Sequence, residues 1–233
     1  MDAPASSLHI DIVSDVVCPW CYIGKRHLEA ALRDWRAKSE INAATEVSIR
    51  WHPFQLNPDL SGEGVDRKSY LEEKFGGPAR AKEIYARVGA AGAAAGLQLN
   101  FDAIVRQPNT LAAHALIALA QTDAEEVSDS ALVAARTDRV VESLFKAYFV
   151  EGRFIGDLHV LLEIAAQHGL DLENARRALS DTFALDHVAS ADASARAQGV
   201  SGVPFFVFNR KYALSGAQPS SVMVSAIEQS LQG

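Results

Sequence analysis

Cys18 and Cys21 are the only two cysteines of this 233-residue chain. They stand one helical turn apart in Cys18-Pro19-Trp20-Cys21, directly after the strand-like run Leu8-His9-Ile10-Asp11-Ile12-Val13. If the chain is helical from Pro19 onward, both sulfurs lie on one face of the first turn, close enough to close a disulfide without moving backbone. Cys18 then sits at the helix N-terminus, where unpaired N–H groups and the dipole favour thiolate over thiol. Pro19 fits, since proline is tolerated in the first turn and no deeper. The chemistry offered is that of a redox pair.

Competing readings are weaker. Structural zinc needs four ligands as a rule, and there is no second Cys pair or His pair at ligand spacing, so no metal site is expected. Two inert core thiols do not explain a Pro-Trp dipeptide between them at a strand-to-helix turn, where exposure is expected. A purely structural disulfide would close a very short loop and gain little chain entropy.

Composition narrows the class. With 48% apolar and 22% charged residues the chain is an ordinary globular protein with enough apolar surface for a well-buried core. A net charge of −7 without a basic cluster argues against a nucleic-acid partner. No run of eighteen or more apolar residues is present, so no membrane span or membrane partner is expected. The segment Met1 to Ser7 lacks a basic n-region and an apolar h-region, which reads as no secretory signal. The expected location is therefore the reducing cytoplasm, where a CxxC pair is catalytic more often than structural.

The elements that must position the thiols follow from periodicity. Leu8 to Val13 and Glu46-Val47-Ser48-Ile49-Arg50-Trp51 alternate as strands and flank a helix from about Cys18 to Lys38, a βαβ unit. From Asp66 to about Gly199 the pattern becomes alanine-rich and helical. Asn109 and Asp157 read as N-caps, Gly96 and Gly169 as C-terminal stops, and Gly89 to Gly96 as a close-packed helix followed by a turn. Strand signals return in Val203-Pro204-Phe205-Phe206-Val207-Phe208, the turn Asn209-Arg210-Lys211 and Tyr212-Ala213-Leu214, and Ser220 to Leu231 reads as a closing amphipathic helix. The fold expected is α/β, βαβ then ββα, with residues 1–65 and 200–233 forming one domain and 66–199 an inserted all-helical one.

Three stretches give the chain a family likeness: Asp11-Ile12-Val13-Ser14-Asp15-Val16-Val17-Cys18-Pro19-Trp20-Cys21-Tyr22-Ile23-Gly24; Pro108-Asn109-Thr110-Leu111 with His114; and Gly202-Val203-Pro204-Phe205-Phe206-Val207-Phe208 with Ser215-Gly216-Ala217-Gln218-Pro219. In that order they resemble the DsbA-type branch of the thioredoxin superfamily, and its FrnE-like members most closely. The resemblance implies a thioredoxin-like fold and a cis Val203–Pro204 bond packed against the Cys18 sulfur, although a trans bond is the ordinary state of an X–Pro pair. Proline there removes an N–H and leaves the Val203 N–H and C=O to pair with an extended substrate.

The mechanism expected is mixed-disulfide exchange on a disulfide- or thiol-containing peptide or small molecule. Cys18, the more exposed thiol, forms the mixed disulfide and Cys21 resolves it. No tightly bound cofactor is expected, and glutathione is a candidate redox partner. Asp15 reads either as a proton acceptor or as a solvated turn residue. Lys25 lies two turns from Cys18 and offers a screened Coulomb effect at most, and His27 falls on the opposite helical face. Trp20 reads as an apolar platform for substrate. Asn57, in the loop Pro53-Phe54-Gln55-Leu56-Asn57-Pro58, and His114 are placed at the edge of a substrate groove roofed by the inserted helices, with a satisfied core histidine as the other reading of His114. Substrate contacts are thus expected from Pro19, Trp20, Val203, Pro204, Asn57 and His114. The second function class is a glutathione-linked isomerase or transferase of the kappa-class and hydroxychromene-carboxylate isomerase type. Those relatives carry serine where Cys18 stands and a carboxylate where Ser215-Gly216-Ala217-Gln218 has none.

Overall fold

A computed structural model describes residues 7–122 and 130–232. Residues 1–6, most of the segment read above for leader features, lie outside the described residues. Strand β1 (Ser7–Ser14) runs parallel to β2 (Glu46–Pro53), with Leu8, Ile10 and Ile12 opposite Val47, Ile49 and Trp51. On its other side β1 pairs antiparallel with β5 (Phe205–Phe208), which pairs with β6 (Tyr212–Ser215), giving the order β2-β1-β5-β6. Asn209 and Arg210 take the hairpin between β5 and β6 in left-handed conformation, the geometry that matches the twist of a tight hairpin.

Helix α1 (Pro19–Arg36) joins β1 to β2 and buries Cys21, Leu28, Ala31 and Trp35, spaced by three, four or more residues so as to share its inner face. A short α2 (Glu40–Ala44), which periodicity did not predict, follows with Ser39 capping it through the Asn42 N–H. The closing helix α10 (Ser220–Leu231) packs against α1 and buries Met223 and Ile227. Gly24 is what lets α1 lie so close to the sheet. A Cβ at this position would stand 3.0 Å from the Pro204 Cγ and 3.1 Å from the Phe206 ring.

Between β2 and β5 the chain forms α3 (Arg67–Phe75), α4 (Pro78–Ala94), α5 (Leu111–Thr122), α6 (Ser130–Phe149), α7 (Leu158–Gln167), α8 (Leu172–Ser180) and α9 (Thr182–Ala197). The expectation of an all-helical insertion needs one correction. β3 (Val65–Asp66) and β4 (Arg106–Gln107) form a two-residue antiparallel ladder, too short to show any alternation in sequence. Gly96 and Gly169 follow α4 and α7 with φ of +78° and +70°, and Asp157 caps α7 through the His159 N–H. Asn109 caps α5 from one position further out than expected, its side-chain oxygen accepting the Leu111 N–H at 2.9 Å while Thr110 lies between.

Helix α6 joins the two parts. Val140, Val141, Leu144, Phe145 and Phe149 are fully buried, and the Tyr22 ring of α1 stacks on Phe145 with centroids 4.8 Å apart. Beside that stack Lys25 is 2% exposed and bonded to Glu29 of its own helix and to Asp138 and Glu142 of α6, at 3.1 and 3.2 Å for the latter two. The Tyr22 hydroxyl donates to Glu142 at 2.7 Å. Lys25 is therefore a fastening between helices and not a distant electrostatic influence on Cys18.

Substituting Gly24→Val should cost about 1–3 kcal/mol of unfolding free energy through overpacking against Pro204 and Phe206, measured by denaturant titration. An unchanged midpoint would show that the close approach of α1 is not a constraint.

Candidate active site

Cys18 is the N-cap residue of α1 and Pro19 its first helical residue. The Cys18 N–H donates to the Asp15 carbonyl at 3.0 Å and its own carbonyl accepts from the Cys21 N–H at 3.0 Å, so the turn is locked on both sides of the thiol. No acidic residue lies in the first turn of α1, and nothing there opposes the partial positive charge that a thiolate at a helix N-terminus would feel. The Cys18 thiol is 3.6 Å from the Val203 carbonyl oxygen, to which it donates. The Val203–Pro204 peptide bond is cis, and Pro204 is buried against Gly24.

Cys21 lies one turn deeper, 2% exposed. Burial first, then the neighbouring Cys18 sulfur, pushes its thiol well above the ordinary range, while the nearby Ser14 hydroxyl and the Asp15 backbone pull the other way. The difference in exposure expected between the two thiols is small, since Cys18 is itself only 5% exposed. Trp20 is the group that reaches solvent, at 41%.

Asp15 is not a solvated turn residue. It is fully buried, one carboxylate oxygen accepting the Leu56 N–H at 2.8 Å and the other 3.5 Å from the His114 Nε2. This corrects the placement of His114 as well, which is 4% exposed and faces Asp15 instead of a groove edge. Asn57 is half-buried with its side-chain oxygen accepting from the Tyr70 hydroxyl. His27 turns away, its Nδ1 donating to the Gln218 carbonyl at 3.0 Å. Two cavities of about 600 Å³ exist among the described residues, one beside β1 and β2 and one between α3 and α4, and neither is lined by Cys18, Trp20 or Val203.

Sequence reasoning passed over Ser14, which is buried at the end of β1. A signal existed, since Ser14 continues the buried series Leu8, Ile10, Ile12 at a spacing of two. It also passed over Gln55 and Asp192. Asp192 accepts the Gln55 N–H at 3.0 Å and is paired with Arg196, which holds the loop after β2 against α9.

A parallel-then-antiparallel sheet with a CxxC pair at the start of its first helix, facing a residue that precedes a buried proline, defines a thioredoxin-type thiol oxidoreductase. The chain belongs to the family described as the DSBA-like thioredoxin domain, whose profile matches residues 9–228. A probable DsbA oxidoreductase from Streptomyces coelicolor is similar in structure with a TM-score of 0.77 and 30% identity, over 96% of this chain and 89% of that one. The cytosolic disulfide reductase DsbM of Pseudomonas aeruginosa, solved with GSH, shares the fold at a TM-score of 0.57 and 21% identity, over 96% and 95% of the two chains. A 2-hydroxychromene-2-carboxylate isomerase shares it at 0.61 and 17%, over 95% of each. No helix among the described residues is long and apolar enough to cross a membrane.

The raised Cys21 thiol links pH to stability. A thiol whose folded pKa exceeds the unfolded value of about 8.5 gives stability that is complete below that pH and lost as pH rises above it. Denaturant titration of the dithiol protein should show a decline between about pH 8.5 and 10, at up to about 1.4 kcal/mol per pH unit. The decline should be shallower in Cys21→Ala.

Proposed function

We propose that the protein is a thiol–disulfide oxidoreductase working through Cys18 and Cys21 by mixed-disulfide exchange, as a cytoplasmic, FrnE-like member of its family. The observation that carries this reading is the contact of the Cys18 thiol, at the N-terminus of α1, with the Val203 carbonyl. An extended substrate pairing with the Val203 backbone would bring its disulfide sulfur to Cys18. The Cys18 thiolate attacks that sulfur, one substrate sulfur leaves as thiolate, and a mixed disulfide forms. Cys21 then attacks the Cys18 sulfur, releasing the second substrate thiolate and leaving the Cys18–Cys21 disulfide. The reverse sequence oxidises a dithiol.

Trp20 and Pro19 supply the apolar surface beside the nucleophile, with Val203 and Pro204 facing them across the site. Asn57 borders the site in this reading only if Tyr70 releases it. Substrates are disulfide- or thiol-containing peptides or small molecules, with glutathione as redox partner and no tightly bound cofactor. The DsbM structure with GSH supports that partner by analogy of fold. Residues 1–65 with 200–233 act as the thiol-bearing domain and 66–199 as the insertion that closes over it.

The glutathione-linked isomerase reading is the alternative. It has less support, because Ser215 to Gln218 offers no carboxylate for a glutathione amine and the Gln218 amide is turned inward, donating to the Ser215 carbonyl at 2.8 Å.

Cys21→Ser should accumulate a mixed disulfide with glutathione or a peptide disulfide, visible as an added mass that dithiothreitol removes. Cys18→Ser should show none. Adducts on Cys21 in the Cys18→Ser protein, at rates like those of Cys18 in the reverse variant, would reverse the assignment. Isomerase activity surviving Cys21→Ser, with no adduct, would favour the alternative.

A further inference from the structure

Arg67 is the first residue of α3, and its backbone is fixed from both sides. Asp66 before it caps the helix through the Ser69 N–H and pairs with Arg106 in the β3–β4 ladder, while the Arg67 N–H donates to the Val105 carbonyl at 2.9 Å. Arg67 is 6% exposed. Its guanidinium carbon stands 4.8 Å from the centre of the Tyr85 ring and 5.6 Å from that of Phe101, and one terminal nitrogen donates to the Phe101 carbonyl at a long 3.4 Å. The Nε atom has no hydrogen-bond partner.

A buried guanidinium ordinarily has a carboxylate to neutralise it. Lys25 and Asp192 follow that rule here, the first with Glu29, Asp138 and Glu142 and the second with Arg196. Arg67 does not, since it forms no ion pair among the described residues. The two rings attract it through their electron-rich faces. The phenols of Tyr85 and Tyr148 lie beside it, but burial raises both, so they are neutral and bring no opposite charge. The positive charge is held in place and left uncompensated.

Open space adjoins it. Arg67 lines the cavity of about 590 Å³ between α3, α4 and residues 99–104, a volume within the roughly 300–1,000 Å³ usual for small-molecule sites. Leu71, Ala81, Leu99 and Ile104 join the two rings in an apolar wall, and the exposed Lys68 and Lys82 add positive charge. Glu72 and Asp102 border the cavity too, and Arg67 pairs with neither.

We propose that this cavity binds an organic carboxylate with an apolar body, its carboxylate paired with the Arg67 guanidinium and its body against the apolar wall. The planar guanidinium matches a carboxylate in geometry and charge. A doubly charged phosphate fits less well, because it would meet one buried cation and the like charges of Glu72 and Asp102. Two sources offer the carboxylate chemistry: a free organic acid, and the acidic group of a thiol-bearing substrate.

Octanoate, octanol and octylammonium share one chain and differ in head group, and each is titrated into the nitrogen-15-labelled protein while the Arg67 Nε–H resonance is followed by NMR. Octanoate should bind about tenfold or more tighter than octanol and move that resonance saturably, and octylammonium should not bind. Arg67→Gln should reduce octanoate to the affinity of octanol. Ala86→Trp, at an exposed position of the cavity wall, keeps the arginine and fills the space of the chain. It should abolish the saturable shift, and it serves if Arg67→Gln does not fold. Equal affinity for the three probes, or octanoate binding unchanged in either variant, would overturn the site. Alkylation of Cys18 by iodoacetamide, timed with octanoate at saturation, separates the sources. An unchanged rate assigns the site to a free acid, and a slowed one to the acidic group of the substrate that Cys18 attacks. Only the second assignment rests on the two-thiol reading. The titration involves no thiol chemistry, so its failure leaves that reading intact, and a failure to form mixed disulfides leaves the site intact.

Discussion

The contact between the Cys18 thiol and the Val203 carbonyl joins residues 185 positions apart, and much of the architecture can be understood as what that contact requires. β1 must be interior to the sheet, parallel to β2 so that α1 crosses over one face, and antiparallel to β5 so that Val203 arrives at the same end as Cys18. Gly24 must lack a side chain so that the helix carrying the thiols settles on Pro204 and Phe206. The long segment between Pro53 and Phe205 costs little extra for its length, because loop-closure entropy grows only as the logarithm of length. What makes it tolerable is that it folds on itself and adds its apolar residues to the same buried cluster that holds Leu8, Ile10 and Ile12.

Within that frame the two thiols differ less in exposure than in what surrounds them. Cys18, at 5%, looks toward a backbone carbonyl and the positive end of a helix. Cys21, at 2%, looks toward Ser14 and the Asp15 backbone, and desolvation dominates its acidity. One turn of helix therefore presents two thiols in different surroundings, one against the Val203 carbonyl and the other where burial resists a negative charge.

Local signals in the sequence located most of the frame. The alternation of β1 and β2, the apolar run of β5, the Asp157 cap and the glycine stops at 96 and 169 depend on near neighbours in the chain, and these are visible in a single sequence. What escaped depends on distant partners. Asp15 looks like a turn residue because nothing nearby shows that Leu56 and His114 will close over it. Lys25 reads as no more than a distant charge two turns from Cys18 because its carboxylates at 138 and 142 lie more than a hundred residues away. His114 could be placed near the site from resemblance, but its direction follows from how α5 packs under the loop after β1. The β3–β4 ladder is simply too short for a period to show.

Lys25 also bears on modularity. A thioredoxin-type half is an obvious unit to transplant, because its sheet and its two flanking helices carry the thiols and the proline by themselves. Excised here, it would retain Glu29 but lose Asp138 and Glu142, leaving an ammonium group designed for burial among three carboxylates with only one. It would also strip the Tyr22 ring of its stacking partner. What excision removes is chiefly the burial of Lys25 and the packing of Tyr22, since the carboxylates it leaves behind are partly open to solvent already. Through Lys25 and Tyr22, α1 is thus tied to α6, and shuffling the smaller unit into another protein would first require rewriting the solvent-hidden side of α1.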